Sequence, residues 1–156
     1  DDLLPGKHLY MLSTGTGLAP FLALARDPEV YDRFDKVILV HGVRHVDDLA
    51  YRDMFENELP NDEIFGEWFR EKFIYYPTVT REEFRNQGRV TDLMKSGKLF
   101  EDIGLPPMNK DDDRVMLCGS MPFNAEVSAI LDDFGLTVSP RMGVQADYAV
   151  ERAFVG

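Results

Sequence analysis

Cysteine occurs once in these 156 residues, at Cys118, which rules out an internal disulfide and a cage of thiolates around a metal. Positive charge is also scarce: 17 lysines and arginines face 28 aspartates and glutamates, a formal net charge of −11. Nucleic-acid phosphates are gripped by lysine and arginine, so a general nucleic-acid partner is not expected. No apolar run approaches the roughly 20 residues that cross a bilayer, no signal-peptide pattern opens the chain, and no membrane partner is expected. His41 and His45 are four apart, as two metal ligands on a helix would be. They follow an apolar run and straddle Gly42, with no third ligand evident, so no metal site is expected. The first residue is Asp1 and not Met, which suggests a fragment or a processed chain. The hydrophobic share of 44% suits one globular domain with a sizeable core.

What the chain does have is a stretch around which the rest can be organised, residues 9–21, LYMLSTGTGLAPF. A short apolar strand runs into Thr14-Gly15-Thr16-Gly17 and then into a helical segment. Glycine at two positions permits positive φ and close approach of a bulky group. Such a turn at a helix start gathers free N–H groups and the positive end of the helix dipole, which makes a site for phosphate. A dinucleotide fingerprint would carry a third glycine where Pro20 stands. Proline in the first turn of a helix costs no hydrogen bond, so the helix can begin there. The plainer alternative is turn chemistry alone.

Four apolar bursts recur, at residues 9–12, 37–40, 73–76 and 115–118. They lack strict alternation, so they read as strands buried on both faces of a parallel sheet. Helices are expected over residues 18–25, ending before Pro28, and over 91–96, ending at Gly97. Another is expected where Val127, Ile130, Leu131 and Phe134 share a stripe, ending at Gly135. A further one, capped by Asp47 or Asp48, would bury Ala50, Tyr51, Met54, Phe55 and Leu59. Residues 105–114, LPPMNKDDDR, read as a surface loop, and Tyr148 and Val150 as a fifth strand. The pattern predicts a doubly wound α/β domain with a mainly parallel five-stranded sheet and helices on both faces.

In such a sheet ligands lie beyond the carboxyl ends of the strands. The polar exits of the four bursts therefore become neighbours: residues 13–17, 41–44, 77–81 and 119–120. Residues 70–98 hold seven basic and four acidic side chains, a basic island in an acidic chain. Arg44, Arg81 and Arg89 are candidates for an anion that needs more than backbone amides, and a ribose 2′-phosphate is such an anion. The alternatives are a solvated face for Arg81 and Arg89 and an ion pair with Asp47 or Asp48 for Arg44. Arg85 reads as a surface residue. Cys118 reads as a small buried hydrophobe with no neighbour in sequence to activate it. Glu151 reads on its own as an exposed strand residue.

The stretch Ser13-Thr14-Gly15-Thr16-Gly17-Leu18-Ala19-Pro20-Phe21 resembles the pyrophosphate loop of the ferredoxin-NADP reductase family in its bacterial branch. The resemblance continues in order through Val40-His41-Gly42-Val43-Arg44, Tyr75-Tyr76-Pro77-Thr78-Val79-Thr80-Arg81 and Gly88-Arg89. It ends with Met116-Leu117-Cys118-Gly119-Ser120 and Glu151-Arg152-Ala153-Phe154-Val155, so it spans nearly the whole chain. It implies the NADP(H)-binding domain of such a reductase over residues 8–156. Residues 1–7 would be a remnant of the interdomain linker, and an FAD-binding β-barrel domain would lie upstream, outside this chain. Thr14, Gly15, Thr16 and Gly17 would then cradle the pyrophosphate, and Thr80, Arg81 and Arg89 the 2′-phosphate, with Arg44 nearby. Cys118 and Gly119 would lie beside the nicotinamide, Glu151 beside the flavin, Ala153 against the flavin ring and Phe154 on the FAD adenine.

The resemblance further implies a bacterial, cytoplasmic, monomeric reductase with NADP(H) and FAD as cofactors and ferredoxin or flavodoxin as partner, inactive as the isolated fragment. Residues 139–145, SPRMGVQ, depart from the family's Pro-Gly turn. Two alternatives stand beside this reading: an NAD(P)H:flavin or oxygenase reductase module, and a non-catalytic nucleotide-binding or docking module.

Overall fold

In the computed structural model, which describes residues 2–151, the apolar bursts become the strands of one parallel sheet. They are β1 (His8–Thr14), β2 (Lys36–Val43), β3 (Phe73–Val79), β4 (Asp113–Cys118) and the short β5 (Tyr148–Val150). Their order is β3-β2-β1-β4-β5, with every pairing parallel. The chain steps outward from β1 to β2 and β3 and then returns to the other side for β4 and β5. The switch in strand order therefore falls between β1 and β4, where the crevice of such a fold opens.

Among the described residues six α-helices cover the sheet: α1 (Ala19–Ala25), α2 (Pro28–Arg33), α3 (Gly66–Lys72), α4 (Val90–Ser96), α5 (Lys98–Ile103) and α6 (Met121–Asp133). On one face Leu9, Met11, Val37 and Leu39 pack with Phe21 of α1, Tyr31 of α2 and Phe69 of α3. On the other, Tyr10, Leu12, Ile38, Val40 and Leu117 pack with Leu93 of α4, Phe100 of α5 and Leu131 of α6. Successive strand side chains thus enter opposite cores, which is why the runs do not alternate with polar residues. The expected doubly wound architecture is the observed one.

Helix ends follow local chemistry. The Asp27 carboxylate accepts a hydrogen bond from Glu29 N at 3.0 Å, and Pro28 presets the first turn of α2. Ser120 caps α6, its hydroxyl accepting from Phe123 N at 3.3 Å. Gly97 ends α4 at φ +84°, a left-handed conformation that a Cβ disfavours.

Two expectations are corrected. The helix expected after Asp47 is broken: a 3₁₀ turn spans Val46–Asp48 and a π-helical turn spans Met54–Glu58. Between them Tyr51 takes φ +64°, which no α-helix allows. Phe55 and Leu59 are buried as expected, but Ala50 and Tyr51 are exposed. The loop expected over residues 105–114 ends sooner, because Asp113 and Arg114 open β4 and are buried. His8 Nδ1 lies 2.8 Å from the Asp113 carboxylate, and Arg114 lies 3.4 Å from Asp147 and donates to the carbonyls of Leu4 and Lys110. Buried charges are tolerated when paired in this way. Periodicity also missed α2, α3 and α5, each of six or seven residues and too short to show a stripe.

The segment before β1 is strapped to the domain. Leu4 N donates to Ala146 O and Ala146 N to Asp2 O, both at 3.0 Å. The departing stretch at residues 139–145 is closed by Ser139, whose hydroxyl donates to Val144 O at 2.6 Å, and by Gly143 at φ +85°.

Candidate functional site

Residues 14–16, 42–44, 80–81 and 120, parts of the four strand ends, do meet. They border a crevice of about 1050 Å³ that opens at the carboxyl edge of the sheet, with Thr14, Gly15, Thr16, Arg44, Thr80, Arg81 and Arg89 among its walls.

One end of the crevice is shaped by glycine. Gly15 has φ +55°, and its N–H donates to Gly42 O at 3.1 Å, while Gly17 N donates to Thr14 O at 3.0 Å. A Cβ on Gly17 would run into the carbonyl of Cys118, so the turn can pass β4 only without a side chain there. Gly119 is as tightly placed: its Cβ would lie 2.6 Å from Phe123 Cδ2 and 2.7 Å from Thr14 Oγ1. Thr16 N–H has no hydrogen-bond partner among the described residues and remains available to an anion.

The other end is built of side chains. Thr80 N donates to Val43 O at 3.1 Å and Arg81 N to Arg44 O at 2.9 Å, which fixes the two arginines side by side on adjacent strand ends. Neither guanidinium has an ion-pair partner among the described residues, and the pair between Arg44 and Asp47 or Asp48 is not made; Asp48 instead lies 3.5 Å from His45. The loop returning to α4 is tied down where Thr78 Oγ1 donates to Gly88 O at 2.8 Å, and this delivers Arg89 to the same rim. Arg89 Nη2 donates to Glu126 Oε1 of α6 at 3.0 Å, and that hydrogen bond and charge hold the Glu126 carboxyl below its usual range. Arg85 turns away, 2.6 Å from Glu56 and over the ring of Phe84, as a surface residue would.

A third group forms one row on the α1 side of the sheet. Register pairs His41 with Ser13 and Ser13 with Cys118, and Glu151 follows Val150, the partner of Leu117. Cys118 is fully buried; burial and then the charge of Glu151 push its thiol upward, so it stays protonated and is no nucleophile. His41 is also fully buried, and its Nε2 lies 2.8 Å from Gly15 O. Burial lowers its pKa against the opposing pull of that hydrogen bond, which leaves the ring neutral. Glu151 is half-buried, with its N–H donating to Leu117 O at 2.7 Å. Ala153 and Phe154 lie outside the described residues.

Tyr51 is the wall residue that sequence patterning misplaced. It is 50% exposed and lines the crevice beside Arg44 and Ala50. Its only signal was an aromatic on a stripe, which reads the same for a core residue. Phe123, Val90 and Thr91 line the crevice too and had no distinguishing motif.

The sequence pattern of the oxidoreductase NAD-binding domain family matches residues 11–129. The chain belongs to that family. Over 155 residues this NAD-binding domain is 68% identical to a ferredoxin-NADP reductase of Pseudomonas aeruginosa, covering 99% of the chain and 60% of that relative. It is 67% identical over 154 residues to a ferredoxin-NADP reductase of Azotobacter vinelandii, with the same coverage. A solved ferredoxin NADP+ reductase from Neisseria gonorrhoeae with bound FAD and NADP is similar at a TM-score of 0.80 and 26% identity, over 96% of this chain and 57% of that one. The chain thus spans about 60% of the length of the curated relatives it matches.

Proposed function

We propose that this NAD-binding domain is the NADP(H)-binding part of a ferredoxin or flavodoxin reductase whose FAD sits on a β-barrel domain preceding residue 8. The observation that carries the reading is the pairing of two unlike anion sites in one crevice: a glycine turn with a free amide, and a rim of three arginines of which two guanidinium groups have no partner among the described residues. The fit to the nucleotide rests on the same atoms. Side chains at residues 17 and 119 would fill the space beside the turn, and β2 ends at Val43 and runs into Arg44 with no carboxylate at that strand end to hold a free ribose 2′-hydroxyl; Asp48, in the turn that follows, lines the crevice and lies 3.5 Å from His45.

The residues then have distinct tasks. Thr14, Gly15, Thr16 and Gly17 form the turn that receives the pyrophosphate, with the free amide of Thr16 among its donors. Thr80, Arg81 and Arg89, with Arg44 beside them, grip the 2′-phosphate through planar forks of donors. Cys118, a neutral thiol, and Gly119, which leaves room, shape the floor for the nicotinamide and exclude water. Glu151 places a carboxylate at the flavin side of that floor, where it can tune charge and hold a proton, and Ala153 and Phe154 complete the flavin contact. With FAD present, a hydride would pass between nicotinamide and flavin and single electrons between flavin and ferredoxin or flavodoxin; the domain contributes binding and orientation. The acidic surface does not suit an acidic electron carrier, so its docking charges belong on the FAD domain. The cytoplasm, where NADP(H) is available, is the matching compartment, and a monomer is the matching state.

Arg81→Ala and Arg89→Ala test this reading by titration with 2′,5′-ADP and 5′-ADP. Each should weaken 2′,5′-ADP by about 1 to 3 kcal/mol, with 5′-ADP held as before. Arg89→Ala should show the smaller loss, because Arg89 already shares its charge with Glu126. Unchanged affinity in both would favour a docking module.

A further inference from the structure

His41 is buried beneath the glycine turn and belongs to no part of the nucleotide's expected contacts. Its ring is fully enclosed, and of its two nitrogens only Nε2 has a partner, Gly15 O at 2.8 Å. Among the described residues Nδ1 has none, nor has the hydroxyl of Ser13, its cross-strand neighbour on β1. A neutral imidazole has one N–H, and Gly15 O can only accept, so the proton belongs on Nε2. The unpaired Nδ1 is an acceptor left without a donor, a costly arrangement for a buried group unless the other nitrogen does something for the fold or the site.

The consequence lies across one peptide bond. Carbonyl and N–H of a trans peptide point in opposite directions, and the chain has no cis peptides among its described residues. By drawing Gly15 O inward beneath the turn, His41 turns Thr16 N–H outward. That amide, like those of Leu18 and Ala19, has no partner among the described residues. Gly15, at φ +55°, is the residue that lets the peptide take this orientation.

We propose that His41 is the positioning residue of the anion site: its Nε2–H holds the carbonyl of Gly15 so that the amide of Thr16 faces the phosphate. This rests on the reading that the glycine turn receives the pyrophosphate, and it adds a residue that never touches the ligand. Gln is the conservative replacement, since its side-chain Nε2 sits at the same number of bonds from Cα; Phe keeps the ring and loses the donor.

The test is amide chemical-shift titration of the chain, which reads millimolar affinities, with three probes: NADP⁺, 5′-ADP without the 2′-phosphate, and 2′-AMP without the pyrophosphate. His41→Phe should weaken NADP⁺ and 5′-ADP about tenfold and leave 2′-AMP within about a factor of two, while His41→Gln should restore most of the loss. Wild-type affinity for 5′-ADP in His41→Phe overturns the proposal, as does an equal loss for all three probes. If His41→Phe does not fold, the wild-type ring decides: nitrogen-15 shifts should show the proton on Nε2, and a proton on Nδ1 overturns it. The two readings fail separately. Loss of 2′,5′-ADP binding in Arg81→Ala with no effect of His41→Phe sinks this proposal alone, and a wild-type chain that takes up none of the three probes sinks both.

Discussion

The two ends of the crevice offer hydrogen-bond donors by opposite means. At the glycine turn the donor is a backbone amide, and its setting comes from what is missing: side chains at 17 and 119 would strike Cys118, Phe123 or Thr14. At the rim the donors are the exposed side chains of Arg44 and Arg81, with Arg89 in a surface ion pair. The first end is built into the sheet and cannot change without disturbing it; the second is free to be retuned. On the proposed reading the two ends have separate jobs, affinity for any dinucleotide at the turn and choice of 2′-phosphate at the rim.

That division can be broken most forcefully at Gly17. Gly17→Ala drives a methyl into the Cys118 carbonyl and should cost about 1–3 kcal/mol of folding stability, with weaker binding of every pyrophosphate ligand. Urea unfolding and a 5′-ADP titration check both effects, and an unperturbed variant would mean that the turn is looser than its contacts imply.

A middle-sized effect is expected at the adenine. Tyr51 lines the same crevice, half exposed. Tyr51→Ala should weaken 2′,5′-ADP and 5′-ADP alike by roughly fivefold if the ring carries the base by stacking. A loss confined to 2′,5′-ADP would move Tyr51 to the rim and blur the division.

The smallest binding effect belongs to Glu126. Glu126→Gln releases Arg89 from its ion pair and should tighten 2′,5′-ADP about two- to threefold at low salt, less at high salt, with no change for 5′-ADP. Weaker binding would mean that Glu126 aims Arg89 and does not compete for it.

His41 gives the comparison a pH signature. Its folded pKa lies below the ordinary 6.5 because burial penalises the imidazolium. Below 6.5 the unfolded chain takes up a proton that the folded chain refuses. This contribution to stability is therefore complete above pH 6.5 and is lost as pH falls through the folded value. Urea midpoints measured from pH 7.5 downward should fall more steeply for the wild type than for His41→Gln, and parallel curves would contradict the assignment.

The sheet and the crevice's corners were legible because they depend on short-range signals. An apolar run without alternation reports burial on both faces, and the glycines and arginines sit at its exits, as with Val37 to Arg44. The segment from Asp47 to Leu59 was misread because its stripe is real, anchored by Phe55 and Leu59, while the break at Tyr51 is a backbone conformation that residue type does not announce. Asp113 and Arg114 were misread for the converse reason. Their charges look solvent-facing in a DDDR run, and only long-range partners, His8 and Asp147, show that they are buried. The coupling of His41 to Gly15 was equally hidden, since it links residues 26 positions apart.

Side-by-side titration of the chain with NADP⁺ and NAD⁺ tests the central claim most directly. The two differ only in the 2′-phosphate, so a rim of arginines that selects it should bind NADP⁺ at least about tenfold more tightly, with the margin shrinking in Arg81→Ala. Equal affinities would contradict it.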